Sequence, residues 1–336
     1  ILNYTNEGSE FIFGRLANSQ KMGFIFFTMV LPTIIFMSSL MSILYHIGIM
    51  QLLIKAVAKL MVKLMGTSGA ESLAAAANIF AGQTEAPLVI KPFIGNMTRS
   101  ELMALMSGGM ATVAGGVLAA YVGFGIDAGH LLAASVMSAP AALVCAKLMV
   151  PETEESVTKG NLKVELQNNT ANLVDAAASG ASEGLKLAMN VGAMLLALIA
   201  LVNGMLGGMG NWFGYPQLSL ELLTGYLFAP VAFFMGVPWE DCTVVGSLLG
   251  KKLILNEFVA YLDLKDQIPN ISERATVIST YALCGFANFS SIAIQVGGIG
   301  SLAPERRKDL ALLGVKSLVA GTLACFMTAC VAGMFI

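Results

Sequence analysis

Charge is what this chain has least of. Its 336 residues carry 19 Lys and Arg and 21 Asp and Glu, 12% in all, with two histidines and a net charge of −2. The few basic side chains form no clustered face, which excludes a nucleic-acid surface built on phosphate contacts. His46 and His130 have no neighbouring metal ligand or nucleophile in sequence, so the familiar catalytic dyads are excluded as well. Cysteine is also scarce. Cys145, Cys242, Cys284, Cys325 and Cys330 lack metal-ligand spacing and read as small core residues. Gly297-Gly298-Ile299-Gly300 has neither a preceding strand nor a P-loop lysine, so it is no phosphate cradle. The chain opens on Ile without the basic flank and short apolar core of a signal peptide, and the expectation is that an N-terminal part of the native protein precedes it.

What the chain has is apolar surface: 56% hydrophobic residues and a mean hydropathy of +0.76. One water-soluble core cannot hide that much, so the solvent is lipid. A helix needs roughly 20 apolar residues to cross a hydrocarbon layer. Stretches free of Asp, Glu, Lys and Arg run from Met22 to Ile54, Leu102 to Ile126, Ala128 to Ala146, Leu187 to Leu220, Ala275 to Pro304 and Ser317 to Ile336. They are continuous rather than alternating, which rules out a β-barrel. The fold class expected is an all-α integral membrane protein, embedded in the bilayer.

Asn3 to Lys21 suits a helix lying in the interface, and the first span follows from Gly23 to about Tyr45. Met50 to Val62 is amphipathic, with Leu52, Leu53, Val57 and Leu60 against Lys55, Lys59 and Lys63. Gly66 to Ile94 is apolar enough to enter the membrane yet too rich in polar residues and proline to face lipid. Irregular polar backbone survives at depth only against protein or a watery cavity, and the segment reads as a re-entrant hairpin. Thr98 and Glu101 form a capping box opening a helix to Phe124, interrupted at Thr112-Val113-Ala114-Gly115-Gly116. A span from Leu131 to Met149 stops before Pro151, and Glu152 to Ser182 reads as a polar linker. After a span over Leu185 to Leu206, the plan recurs: a mixed segment from Tyr215 to Leu264 holds Glu257, then Ser272 opens a helix broken at Cys284 to Ser291. Trp212, Tyr215, Trp239 and Tyr261 read as interface belts.

Glu85 lies 13 residues before Thr98 and Glu257 lies 15 before Ser272, while Thr98 to Thr112 and Ser272 to Phe286 are both 14 residues. Two hairpins, each ending in a buried glutamate and each followed by a broken helix, make an internal repeat. Arg306, Arg307 and Lys308 place the last loop in the cytoplasm, and counting back makes the hairpins enter from opposite faces. Such inverted repeats with discontinuous helices are the architecture of secondary transporters.

A carboxylate at bilayer depth costs at least about 2.5 kcal/mol, so Glu85 and Glu257 need partners. Either each pairs with a local lysine (Lys91, or Lys251 and Lys252), or both accept hydrogen bonds from a polar cargo. Asn78 and Thr112 are neutral oxygen donors fit for a hard monovalent cation, unless Asn78 only caps its turn. Asn288, Ser290 and Ser291 offer polar groups opposite Glu257, and Phe286 and Phe289 offer aromatic planes. An ion channel with re-entrant loops is the competing class; an intramembrane enzyme lacks its nucleophile or metal trio.

Gly82-Gln83-Thr84-Glu85-Ala86-Pro87, then Asn256-Glu257-Phe258-Val259-Ala260-Tyr261, then Ala282 to Ser291 resemble the concentrative nucleoside transporters, in that order and nearly over the whole chain. The resemblance implies a sodium-driven nucleoside importer (uridine is a typical cargo) of the bacterial inner membrane. It implies a homotrimer with a fixed scaffold and an elevator-like transport domain. Gln83, Thr84 and Glu85 would read the nucleobase beside Val117, while Glu257, Asn288 and Ser291 would bind ribose hydroxyls near Phe286. Sodium would use the Asn78 and Thr112 side chains and the Ala81 and Val113 carbonyls. Many relatives carry Ser where Thr112 stands, and the proton-coupled relatives, the alternative reading, replace Thr84 by Ser and Ala86 by Asn. The implied division puts an interfacial helix, a scaffold span and an amphipathic helix in 1–65. The first hairpin and broken helix fill 66–126, and scaffold spans with a linker near 151–182 fill 127–214. The second hairpin and broken helix take 215–300, and the final span 301–336.

Overall fold

The computed structural model describes residues 2–17, 22, 25–159, 170–215 and 217–336, and all regular structure among them is helical. Gly23, Pro216, residues 18–21 of the expected interfacial segment and residues 160–169 of the expected linker lie outside the described residues. Among the described residues, five helical stretches are long and apolar enough to span a membrane: Phe27–His46, Arg99–Gly123, Ala128–Met149, Leu173–Phe213 and Pro304–Gly333.

Helix α1 (Leu2–Phe13) leads to α2 (Leu31–His46), the first span, which ends at a left-handed Gly48. The amphipathic α3 (Ile49–Met65) follows. It buries Met50, Ile54, Ala58 and Met61 and leaves Leu52, Leu53, Leu60 and Leu64 exposed. The leucines of its apolar face thus turn outward, where lipid suits them, while Ile54, Ala58 and Met61 pack into one core with the first hairpin.

That hairpin consists of α4 (Gly69–Asn78), a turn over 79–85, and a return through α5 (Ala86–Val89) and α6 (Lys91–Ile94), each with proline in its first turn. Ser68 and Glu71 close a capping box on α4, and the alanines of this wholly buried helix let it sit deep among its neighbours. Thr98 and Glu101 cap α7 (Arg99–Ala111) as the sequence foretells. Extended backbone at Thr112 and Ala114 interrupts it before α8 (Gly115–Gly123) resumes. Asp127 caps α9 (Ala128–Met149), accepting the His130 N–H at 2.9 Å.

Residues 150–159 are non-helical and fold back as a strap: Thr158 accepts the Gly69 and Ala70 N–H groups at 3.0 and 3.1 Å, and Glu152 accepts the Thr98 hydroxyl at 2.8 Å. The linker is shorter than its polarity implies, because α10 (Leu173–Phe213) takes in its last ten expected residues, 173–182. Asn172 caps it through the Val174 and Asp175 N–H groups. The polar start of α10 stays helical because a small-residue row seats it on α2. A Cβ on Gly180 would lie 2.6 Å from the Ser38 carbonyl, and one on Gly184 2.8 Å from Ile35 Cα.

Helix α11 (Leu220–Phe234) packs tightly on α12 (Cys242–Ile254), which forms the second hairpin with α13 (Glu257–Gln267). Within the expected 215–300 unit, the hairpin proper is thus 242–267, and α11 is a separate helix braced against it. The second broken helix is α14 (Glu273–Leu283), capped by Ser272, and α15 (Phe289–Leu302). The last span, α16 (Arg307–Gly333), lies against α7, α9, α14 and α15. One apolar core surrounds α4, α7 and α9, and another surrounds α8, α12, α13 and α14.

Candidate functional site

The two broken helices meet at their breaks. Phe286 donates its N–H to the Thr112 carbonyl at 3.2 Å, so one interruption satisfies the backbone freed by the other. A Cβ on Gly285 would fall 2.7 Å from Cys325 Sγ and 2.9 Å from the Ala111 carbonyl group, so only glycine permits this approach. The first hairpin's turn is wedged into the same place. The Gly115 N–H donates to the Phe80 carbonyl at 3.0 Å, Gly82 abuts Ala114, Gln83 abuts Gly109, and Thr84 abuts Gly298.

From the other half, Glu257 begins α13 and Asn288 caps α15, where helix N-termini favour negative charge and acceptors. Glu257 is 5% exposed. Its Oε1 accepts the Tyr121 hydroxyl at 3.0 Å, and its Oε2 accepts Asn288 Nδ2 at 3.3 Å. Asn288 Oδ1 in turn accepts the Ser291 N–H at 2.9 Å and the Ser290 hydroxyl at 2.6 Å. Ser291 Oγ accepts Gln83 Nε2 at 3.0 Å, which joins the two halves in one chain of hydrogen bonds.

The local-lysine reading of Glu257 does not hold. Lys251 bonds Asp263 at 2.6 Å and Glu221 at 2.9 Å, and Lys252 donates to the Ala282 carbonyl at 2.8 Å. Lys252 remains near enough to act on the Glu257 charge without touching it. Glu85 was expected buried, and here the structure differs. Its Oε2 folds back to accept the Gly82 N–H at 3.0 Å, while the residue opens to solvent along one side and is crowded by protein on the others. Burial of that end is unnecessary, because the carboxylate sits at the hairpin turn rather than inside a helix packed on all faces.

Asn78 and Thr112 come together around Gly108. Thr112 Oγ1 donates to the Gly108 carbonyl at 2.9 Å, and the Asn78 amide lies 2.8 Å from where a Gly108 Cβ would be. Asn78 is 1% exposed, yet neither its Nδ2 nor its Oδ1 has a partner. Among the described residues, the Ala81 and Val113 carbonyls accept no hydrogen bond either. A buried amide left open is an unfilled demand for a ligand, and the Asn78, Thr112, Ala81 and Val113 oxygens are all neutral, as a sodium ion would need. Gln83 Oε1 is likewise without a partner.

Val117 is buried on the first turn of α8, and Phe286 is half-buried beside the second break. Phe289, by contrast, is 56% exposed. Tyr121 carries no motif signal of its own, but it stands four residues after Val117 on the same helical face, and that spacing would have pointed to it. Tyr261, expected in an interface belt, is fully buried: its hydroxyl donates to the Thr280 carbonyl at 2.7 Å, which satisfies it without water.

A family model described as Na+ dependent nucleoside transporter C-terminus matches residues 130–333, and one described as nucleoside recognition (Gate) matches residues 27–128. The chain is 53% identical to the uncharacterized transporter YutK of Bacillus subtilis, covering 100% of this chain and 84% of that one. It is 46% identical to solute carrier family 28 member 3 of Rattus norvegicus, covering 99% of this chain and 50% of that one, so it spans about half the length of this mammalian relative. Among solved structures it is similar to CNTnw in an inward-facing substrate-bound state, with a TM-score of 0.92, 49% identity, and coverage of 99% of this chain and 82% of that one. The relatives and the fold are those of transporters and not of enzymes, and the chain belongs to the Na+-dependent, concentrative nucleoside transporter family.

Proposed function

We propose that this multi-pass membrane protein imports nucleosides such as uridine across a bacterial inner membrane, driven by sodium. The observation that carries the reading is the hydrogen-bonded chain from Gln83 through Ser291 and Asn288 to Glu257, bordered by the open amide of Asn78. A carboxylate and an amide side by side can bind vicinal ribose hydroxyls in concert, with Ser291 and Phe286 beside them. Gln83 Oε1, Thr84 and Glu85 are free to meet the polar edges of a base, with Val117 as the apolar wall. A site built for hydroxyls rejects analogues that lack them, because its own polar groups are then stranded.

Sodium is the second substrate, received by Asn78 Oδ1, Thr112 Oγ1 and the Ala81 and Val113 carbonyls. Filling this gap draws the hairpin turn and the break of α7 and α8 together, which couples ion to cargo. One sodium ion gains about 2.3 kcal/mol per 100 mV, enough to concentrate a neutral nucleoside roughly fifty-fold. Thr84 and Ala86 depart from the pattern of the proton-coupled relatives, which favours sodium. In the elevator reading, α2 and α10, paired through Gly180 and Gly184, form the frame, and the hairpins with their broken helices move. The long apolar face of α10, exposed in the single chain, suits lipid and the other protomers of a homotrimer.

Proteoliposomes given radiolabelled uridine test the reading. Uptake is expected with an inward sodium gradient and not with choline; equal uptake in both would remove the coupling.

A further inference from the structure

Tyr121 is fully buried on α8, and its hydroxyl makes one hydrogen bond, to Glu257 Oε1 at 3.0 Å. Its ring is enclosed by other aromatic rings. It stacks on Tyr261 with centroids 4.2 Å apart and an interplanar angle of 27°, and meets Phe258 at 5.8 Å and Phe124 at 6.3 Å. Tyr261 stands one turn after Glu257 on α13 and is itself anchored to the Thr280 carbonyl. The hydroxyl is thus held by the same hairpin that carries the carboxylate it serves.

The geometry has a chemical consequence. A carboxylate on a short flexible stem can rotate, and each of its oxygens can accept about two hydrogen bonds. Tyr121 takes one position on Oε1, Asn288 takes one on Oε2, and the residue's own backbone N–H faces the carboxylate as well, so of about four positions at least one stays open. Two donors arriving from opposite sides fix the plane of the carboxylate. No cation does this work, since Lys252 is spent on the Ala282 carbonyl.

We infer that Tyr121 is a positioning residue of the sugar site: its hydroxyl locks the Glu257 carboxylate so that both oxygens face a vicinal diol, and it thereby sets the preference for ribose over deoxyribose. The inference rests on the reading of the site as a nucleoside site.

The test is sodium-driven uptake into proteoliposomes of uridine and of 3′-deoxyuridine, by the parent, Tyr121→Phe, and Phe124→Leu. Tyr121→Phe keeps the stacked ring and removes the donor. It is expected to raise the KM for uridine about tenfold, the loss of one hydrogen bond to a charged group. Vmax should stay nearly unchanged, and the KM for the deoxy analogue should move far less, so the preference between the two collapses. Phe124→Leu, which disturbs the ring cluster without touching a donor, should leave the preference intact. Tyr121→Met is the second donorless variant, for use if the first does not assemble. An unchanged preference in the donorless variant would overturn the inference, as would equal losses for both substrates or failure of both variants to assemble, since the role would then be structural. A parent that takes up uridine and 3′-deoxyuridine alike would also overturn the inference, since there would be no preference to set, whereas a parent that takes up neither would sink the nucleoside reading itself.

Discussion

The two hairpins occupy equivalent places in the repeat, but their polar groups are in opposite conditions. In the second, the buried polar groups have partners: Glu257 has two side-chain donors, Asn256 caps Val259 at 3.0 Å, and Lys252 and Lys251 are bonded. In the first, Asn78 has no partner at either amide atom, Gln83 Oε1 has none, and Glu85 opens to solvent. An orphaned buried amide costs about 1–3 kcal/mol, so the first half stores a cost that a ligand can relieve. In the proposed reading, the second half is the finished receptor for a sugar and the first half the place of an ion and a base.

Removing the finished half's charge should have the largest effect. Glu257→Gln is expected to lower uridine uptake on the order of a hundredfold, the value of about 3 kcal/mol of lost charge-assisted bonding, while the elution position on size-exclusion chromatography stays that of the parent. Retained uptake would take from Glu257 its role. Next comes the contact that joins the halves. A Cβ at Gly285 has no room beside Cys325 and Ala111, so Gly285→Ala should cost about 1–3 kcal/mol of stability, read as a lower Tm in detergent.

Asn78→Ala sharpens the contrast further, because it should change function without harming the fold. Deleting an unsatisfied amide leaves the Tm in sodium-free buffer level or higher, while the sodium needed for half-maximal uptake rises about tenfold, the worth of one lost ligand. A fall in the sodium-free Tm would mean that Asn78 is a structural cap instead. The smallest effect belongs to the strap beside the first hairpin. Glu152 meets Lys147 at 3.4 Å and both side chains are partly exposed, so Glu152→Gln should cost only about 0.5 kcal/mol in thermal unfolding.

Much of this was legible in sequence because breaks and caps are local. Thr98 and Glu101, Ser272, the extended residues at Thr112 and the Cys284 to Asn288 interruption follow from hydrogen-bond patterns that a few neighbouring residues decide. Partner choice was not legible. Lys251 and Lys252 lie close to Glu257 along the chain, yet their ammonium groups are claimed by Asp263, Glu221 and the Ala282 carbonyl, and the donor that reaches Glu257 comes 136 residues away. The start of α10 misled for a related reason. Polar residues after Asn172 read as a linker, whereas the seat for Gly180 and Gly184 on α2 is a tertiary contact that hydropathy does not register. Tyr261 likewise has the composition of a belt residue and the environment of a core one.

The most direct test of the contrast between the halves is equilibrium binding of uridine to the purified protein at rising sodium, in the parent and in Asn78→Ala. Linkage requires that an ion completing the first half raise affinity at the second. The account predicts that sodium tightens uridine binding in the parent and that this dependence largely disappears in the variant. Uridine binding equally well in choline and in sodium by the parent, or a sodium dependence that survives undiminished in the variant, would contradict it.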